Sequence, residues 1–348
     1  MDSVDGAEVF RRIIDVMDHD LPATVRLAPH RSVLDLGSDV RVVGLDPDSA
    51  LVIDGLPPPL SELLDRLGVR MVTGELVAEA AAHGVAPETT SALLRRLADA
   101  CALVDAASIE RAARARADGV AVVSGCGPLA VGVVAGLLHA GIGTVHTDTG
   151  GAVRLGDLGT GYTDAERGTP RAAATQAAVR RLLPWAGTRS PPARTVADLV
   201  VLADEMPDPV QITALRADGV PHLAVRLRDG VGVVGPLVLP GRSACLGCLD
   251  LTRSALDVHW PAVAARLTGH AGVADPACAT ATVGLAVAQA VAAIEGGRPP
   301  TLDATLELDV GKGTLVRRHW AAHPDCPCGA AQPPGETAHD AATSASRR

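Results

Sequence analysis

Val120-Ala-Val-Val-Ser-Gly-Cys-Gly-Pro-Leu-Ala130 is the stretch on which the reading of this chain turns. Its Val-rich start predicts a strand over Val120–Ser124, and Gly125-Cys-Gly127-Pro-Leu-Ala130 then opens a helix running to His139. In that context the first glycine makes a tight turn, and the second lets backbone amides approach a phosphate at the helix N-terminus. A small residue at Ala130 allows the helix to lie close on the strand. A further strand is predicted over Thr144–Thr147, and Asp148 follows it, 21 residues beyond Gly127, where a carboxylate can bind ribose hydroxyls. Gly125, Gly127, Ala130 and Asp148 are thus the expected nucleotide-binding residues. The plainer alternative is a tight strand-to-helix turn that binds nothing.

The same region has a competing reading as a membrane span, because Gly119 to Val145 is free of charge and long enough. Seven glycines, Pro128 and a glycine loop after a short strand favour strand, turn, helix and strand instead. Downstream, a helix over Arg171–Leu183 and a strand over Leu199–Leu202 continue the alternation. That pattern predicts an α/β, Rossmann-like domain with a mainly parallel sheet covered on both faces.

Upstream the period differs. Residues 1–20 read as a helix with Val9, Phe10, Ile13, Ile14 and Met17 on one side. Short β-like runs follow at Thr24–Leu27, Val33–Leu36, Val40–Leu45 and Ala50–Ile53, separated by turn signals. Three helices come next: Pro58–Leu67, Thr73–His83 with Thr73 as N-cap, and Glu88–Leu103 with Leu93, Leu94, Leu97 and Cys101 inward. Small strands and three helices outline a winged-helix-like α+β domain over residues 1–107. Ser108–Arg116 reads as a basic connecting helix into a second domain, 108–329. The Pro-, Ala- and Ser-rich tail 330–348 is expected to be disordered.

Charge and cysteine usage narrow the function classes. The chain of 348 residues has a net charge of −9, and residues 1–107 account for all of it, with 9 basic against 18 acidic side chains. A nucleic-acid partner is disfavoured there. The acidic N-terminus, with no apolar run after it, gives no secretory signal, and seven cysteines suit metal binding in a reducing cytoplasm better than a disulfide framework. Cys245-Leu-Gly-Cys248 and Cys326-Pro-Cys328 form two close pairs, and four thiolates suit a tetrahedral structural zinc; His323 is a candidate replacement for one thiol. Cys278, where a helix is expected to begin, is either a reactive thiol or, the plainer reading, a small buried residue. No His pattern indicates a catalytic metal.

The glycine loop and the paired cysteines, in this order, resemble the ThiF/MoeB-type adenylyltransferases and ubiquitin-activating enzymes, over roughly Ser108 to Gly329. Gly241-Arg-Ser-Ala-Cys-Leu-Gly-Cys-Leu-Asp-Leu-Thr-Arg253, with Asp257 and Trp260-Pro261 after it, resembles more narrowly the actinobacterial branch of bacteriocin cyclodehydratases, or TOMM-precursor leader-peptide-binding proteins. The resemblance implies a winged-helix peptide-recognition domain ahead of a ThiF-like body, a homodimer, and ATP with magnesium at the loop. Carried over residue by residue, it retains Asp148 but finds Gly150 at the second acid and Thr160 where an arginine contacts phosphates. Arg171 stands at the family lysine, Asp204-Glu205 at the magnesium-binding acid, and Asp208 at a further arginine. Asp204 and Arg171 are the implied catalytic residues. With cations lost around the phosphates, the adenylation site reads as degenerate, although Arg111, Arg114 or Arg116 of a symmetry-related subunit could restore a charge. The expected role is a component that binds a precursor leader peptide and a YcaO-type or other modifying enzyme, carries zinc, and works in the cytoplasm. The alternative is an active adenylyltransferase for a carrier or peptide C-terminus. A DNA-binding regulator conflicts with the N-terminal charge, and a nicotinamide oxidoreductase leaves the cysteines unexplained.

Overall fold

Leu199–Ala203 is buried at every position, and its two faces enter different cores. Leu199, Val201 and Ala203 join one apolar cluster, while Val200 and Leu202 join the other. Such a strand belongs at the centre of a sheet covered on both sides. The computed structural model describes residues 21–37, 39–125, 127–158, 161–186, 191–192, 195–203, 206–269 and 272–331. The helix expected over residues 1–20, nearly all of the expected tail, Cys126, Thr160, Asp204 and Glu205 lie outside them.

The chain divides into two units, Met1–Ala113 and Arg114–Arg348. In the first, β1 (Thr24–Leu27), β2 (Val33–Asp35), β3 (Arg41–Val43) and β4 (Leu51–Ile53) precede α1 (Pro58–Arg66), β5 (Met71–Val72), α2 (Thr73–Ala82), α3 (Pro87–Asp99) and β6 (Leu103–Asp105). They make two antiparallel sheets, ordered β5-β1-β6 and β2-β3-β4. Leu60, Leu63 and Leu64 of α1 and Leu93, Leu94 and Leu97 of α3 recur at helical spacing and share one core with Val25 and Val43. Arg41 is buried between Asp35 at 2.7 Å and Asp65 at 3.0 Å, so its charge is compensated on both sides.

Two expectations are corrected here. The third helix stops at Asp99; Cys101 adopts a left-handed φ of 53° and is exposed, and the chain reverses so that Leu103 pairs with Leu27. Cys101 continues the helical spacing of Leu93, Leu94 and Leu97 by accident, and the pairing of Leu103 with β1 decides where the helix must end. Thr73 is the first residue of α2 with Val72 as N-cap, and its hydroxyl donates to the Pro22 carbonyl.

The second unit follows α4 (Ala106–Asp118), within which the division falls. Its elements are β7 (Val120–Gly125), α5 (Pro128–His139), β8 (Thr144–Asp148), α6 (Arg171–Leu182), β9 (Leu199–Ala203), α7 (Pro209–Ala217), β10 (His222–Arg228), β11 (Val231–Val238), α8 (Leu246–Leu256), α9 (Trp260–Leu267), α10 (Pro276–Ile294), β12 (Ala304–Asp309) and β13 (Thr314–His319). The sheet order is β13-β12-β11-β10-β9-β7-β8. Strands β8, β7, β9 and β10 run parallel, and an antiparallel meander through β11, β12 and β13 extends them. The sheet is α/β and mostly parallel by strand direction, with the Gly119–Val145 stretch forming strand, loop, helix and strand. Helix α10 is long and apolar enough to cross a membrane by length and composition; here it lies against α5 and the sheet, burying Thr282 and Gln289.

Close approach explains several glycines. A Cβ on Gly132 or Gly136 of α5 would meet Val283 at 2.7 Å or Val287 at 2.6 Å on α10. Gly125 has a φ of 140°, and a Cβ there would run into the Ala203 carbonyl of β9. Gly284, on the exposed side of α10, has nothing nearby. The same substitution therefore has opposite expected signs at two sites. Gly284→Ala should stabilise the second unit by about 1 kcal/mol through helix propensity, whereas Gly125→Ala should cost roughly 2 kcal/mol or more by forcing β7 from β9. Urea unfolding followed by tryptophan fluorescence checks both, because Trp185, Trp260 and Trp320 all lie in this unit. An unchanged midpoint for Gly125→Ala would show that the strand approach is not a constraint.

Candidate functional site

Two places in the second unit gather chemically active side chains. The first begins where β11 ends. The loop after Val238 is held by the Ser243 hydroxyl, which accepts from the Leu239 N–H at 2.8 Å, and by Asp303, which accepts from the Ala244 N–H at 2.7 Å. This delivers Cys245 as the N-cap of α8 and Cys248 in its first turn. Cys326 and Cys328 arrive from the segment after β13. All four sulfurs are buried and lie within 4.8 Å of one another.

The separations are 3.8 Å for Cys245–Cys248, 3.6 Å for Cys245–Cys326 and 3.5 Å for Cys248–Cys328. These exceed a disulfide bond of about 2.05 Å. They match the roughly 3.8 Å between thiolates placed tetrahedrally around a zinc at about 2.3 Å. Burial pushes the Cys326 thiol up to about 11 and the Cys245 thiol higher, so a cation must replace the protons if all four are to ligate. The donor set therefore fits a closed four-thiolate metal site. His323 contributes its main chain: its N–H faces Cys248, and its Nδ1 accepts from the Asp325 N–H at 3.2 Å.

The second place is the carboxyl edge of the parallel strands. Ser124 sits beside Asp148, and Gly125 beside Ala203, in register. Asp148 is exposed at its strand end, and Ala130 is buried in the first turn of α5. Gly127, with φ at 120°, caps α5, and Pro128 takes the first helical position. Proline there removes one N–H from the set a phosphate would use. Gln211 of α7 donates to Ser124 Oγ at 2.7 Å across a cavity of about 240 Å³.

Arg171 is not a free cation at this edge. Its guanidinium is buried and bidentate on Asp157, at 3.0 Å from Nε and 3.2 Å from Nη2, with the Gly150 carbonyl at 3.4 Å. Asp157 also accepts from the Arg154 N–H at 2.7 Å. Asp208 caps α7 by accepting from the Val210 N–H at 2.8 Å, which gives an acid at this position a structural reason. Cys278 is buried, its thiol donating to the Gly230 carbonyl at 3.3 Å. The structure thus joins the four cysteines, and separately Gly125, Gly127 and Asp148, while Arg171 is tied to Asp157.

One grouping escaped sequence reasoning. Arg226, Arg253, Trp260 and Trp320 come from four elements and line one cavity of about 760 Å³. Arg253 and Trp260 lie in the stretch that carries the narrower resemblance, but nothing in the sequence joined them to Arg226 and Trp320.

No family model matches this chain, and no curated protein does. Solved structures share its fold. Escherichia coli MccB with ATP aligns at a TM-score of 0.65 and 12% identity, covering 88% of this chain and 99% of that one. The microcin C7 biosynthetic enzyme MccB in complex with N-formylated MccA aligns at 0.63 and 12%, with the same coverage. A heterocyclase in complex with substrate and cofactor aligns at 0.57 and 16%, covering 88% of this chain and 40% of that one. The chain has the ThiF-like fold.

Purified protein is expected to carry about one zinc per chain by elemental analysis, as a single four-thiolate site requires. Cys248→Ser should lose it and destabilise the unit around α8, while His323→Ala should keep it. A Cys248→Ser protein with full metal content would remove that thiol from the ligand set.

Proposed function

We propose that this chain is the leader-peptide- and partner-binding component of an azoline-type cyclodehydratase system, with an adenylation site that no longer works. The observation that carries the reading is the state of Arg171. It stands where the resembled family keeps a lysine for phosphate, yet its charge is spent on Asp157. Freeing it would break a buried ion pair, at a cost of about 3–5 kcal/mol. Pro128 removes a loop N–H, and Asp208 adds an acid near the same edge. Attack on an α-phosphate needs cations around developing negative charge, and among the described residues this edge is poor in them.

Peptide recognition falls to the first unit, read as a winged-helix-like domain. Strand addition at Val40–Leu45 or Ala50–Ile53 would serve this purpose; β3 in the first run is paired on both sides, so among the described residues β4 in the second is the one of the two with an open edge. Val52 on β4 is 64% exposed. A peptide added there gains main-chain hydrogen bonds and apolar contacts. The net negative charge argues for a peptide over DNA. MccB with MccA and the substrate-bound heterocyclase support a peptide partner for this fold. A YcaO-type or other modifying enzyme as second partner, a homodimer and a cytoplasmic location complete the proposal. The rival reading, an active ATP- and magnesium-dependent adenylyltransferase using Asp148 and Asp204, is favoured by the likeness to ATP-bound MccB over nearly all of that chain.

Two measurements separate them. ATP–pyrophosphate exchange should be weak or absent, with or without candidate peptides; robust exchange that disappears in Asp204→Ala would make the chain an enzyme. The full-length protein should bind a cognate leader peptide and ignore duplex DNA at physiological salt. Val52→Pro should weaken the peptide by about tenfold or more while zinc content and circular dichroism stay unchanged. Tight, salt-sensitive DNA binding would defeat the peptide reading.

A further inference from the structure

His222 is the first residue of β10, and only 1% of its surface is exposed. Strand alternation sends Leu223 and Val225 into the main core, whereas Ala224 joins the smaller core on the opposite face with Val200, Leu202 and Leu246. His222 stands in register with Val200, so its side chain shares that opposite face. There it borders a cavity of about 560 Å³ that α7, α8 and α9 also line. The volume is within the size range of ligand sites.

The protonation of the ring follows from its surroundings. Nδ1 lies 3.0 Å from the Val220 carbonyl, which can only accept, so Nδ1 carries the proton and donates. Burial holds the imidazole below the usual histidine range, so the ring is neutral. Nε2 is then a bare lone pair. It is buried and has no hydrogen-bond partner among the described residues. A leucine at this position would avoid the cost of an unmet buried acceptor. Ile212 of α7, Leu246 and Leu249 of α8 and Ala264 of α9 give the cavity apolar walls. Trp260 lines it as well, an aromatic partner for a planar ligand. The cations that reach the cavity, Arg226 and Arg253, both feel the opposite charges of Asp250 and Glu307.

These features select a ligand class. A metal ion is a poor fit, because the one group of clustered metal-ligating side chains among the described residues is the four cysteines, without His222. An anion would set its charge against the His222 lone pair, and a cation would meet Arg226. A neutral ring with one N–H or O–H satisfies the acceptor and the apolar walls together. We propose that this cavity binds a neutral aromatic molecule of the indole or phenol class, whose N–H or O–H donates to His222 Nε2. The site involves only residues of the second unit and does not rest on leader recognition by the first.

The test uses full-length, zinc-loaded protein and calorimetric titration with indole and with benzofuran, which has the same shape but an oxygen in place of the N–H. Indole should bind at millimolar concentration or below and move the His222 Nε2 signal in nitrogen NMR. Benzofuran should bind more weakly by about fivefold, the share of one neutral hydrogen bond. His222→Phe keeps a ring and removes the acceptor, and it should bind the two alike. Ala264→Trp, on a helix that buries none of its residues, should fill the cavity and lose indole. This second variant keeps the test decisive if His222→Phe fails to fold. No indole binding at millimolar concentration would mean that water alone satisfies Nε2, and it would overturn the proposal. So would equal binding of indole and benzofuran, a preference that survives His222→Phe, or indole binding unchanged in Ala264→Trp.

Discussion

Four buried thiols within 4.8 Å of one another, from segments about eighty residues apart, organise the distal half of the second unit. Uncharged, they are a small polar cluster among Val238, Ala244, Leu249 and Trp320; holding a metal, they are a crosslink between the start of α8 and the chain after β13. The direction of α8 is set at Cys245, its N-cap, and Arg253 follows two turns later on the same helix. Trp320 leaves β13 toward the cysteines and meets Arg253. A metal there would tie the helix that carries Arg253 to the segment that carries Trp320, two walls of one cavity.

At the other end of the carboxyl edge, a glycine-loop backbone coexists with charges used for structure. Gly125 is required by the approach of β7 to β9, Asp208 by the end of α7, and Asp157 by the loop that it caps and by Arg171. Each has a sufficient reason without a nucleotide. The proposed loss of adenylation rests on this: the glycine turn also serves packing, whereas cations placed only for a phosphate have no second role to retain them.

The regular elements of the first half of the second unit were legible because their signals are local, whereas those after Ala203 were not read from the sequence. Val120–Ser124, Thr144–Thr147, Arg171–Leu183 and Leu199–Leu202 each fall within a residue of the observed bounds. Glycine and proline marked the ends, and unbroken apolar runs marked strands buried on both faces. The helix expected through Leu103 overran because apolar spacing cannot distinguish a last helical turn from a strand docking on β1. The paired cysteines were legible for a different reason: thiols at short spacing have few uses in a reducing compartment.

Composition, periodicity and spacing by themselves determined the α/β class, the alternation of elements from Val120 to Leu202, the glycine loop with Asp148, and the four candidate metal ligands. Each depends on residues close in sequence or on a chemistry that few residue types supply. Only the tertiary structure decided which charges are free. Whether Arg171 meets a phosphate or Asp157 depends on side chains that folding brings together from distant segments. Charge pairing acts over a few ångströms of space, and separation along the chain carries almost no information about it.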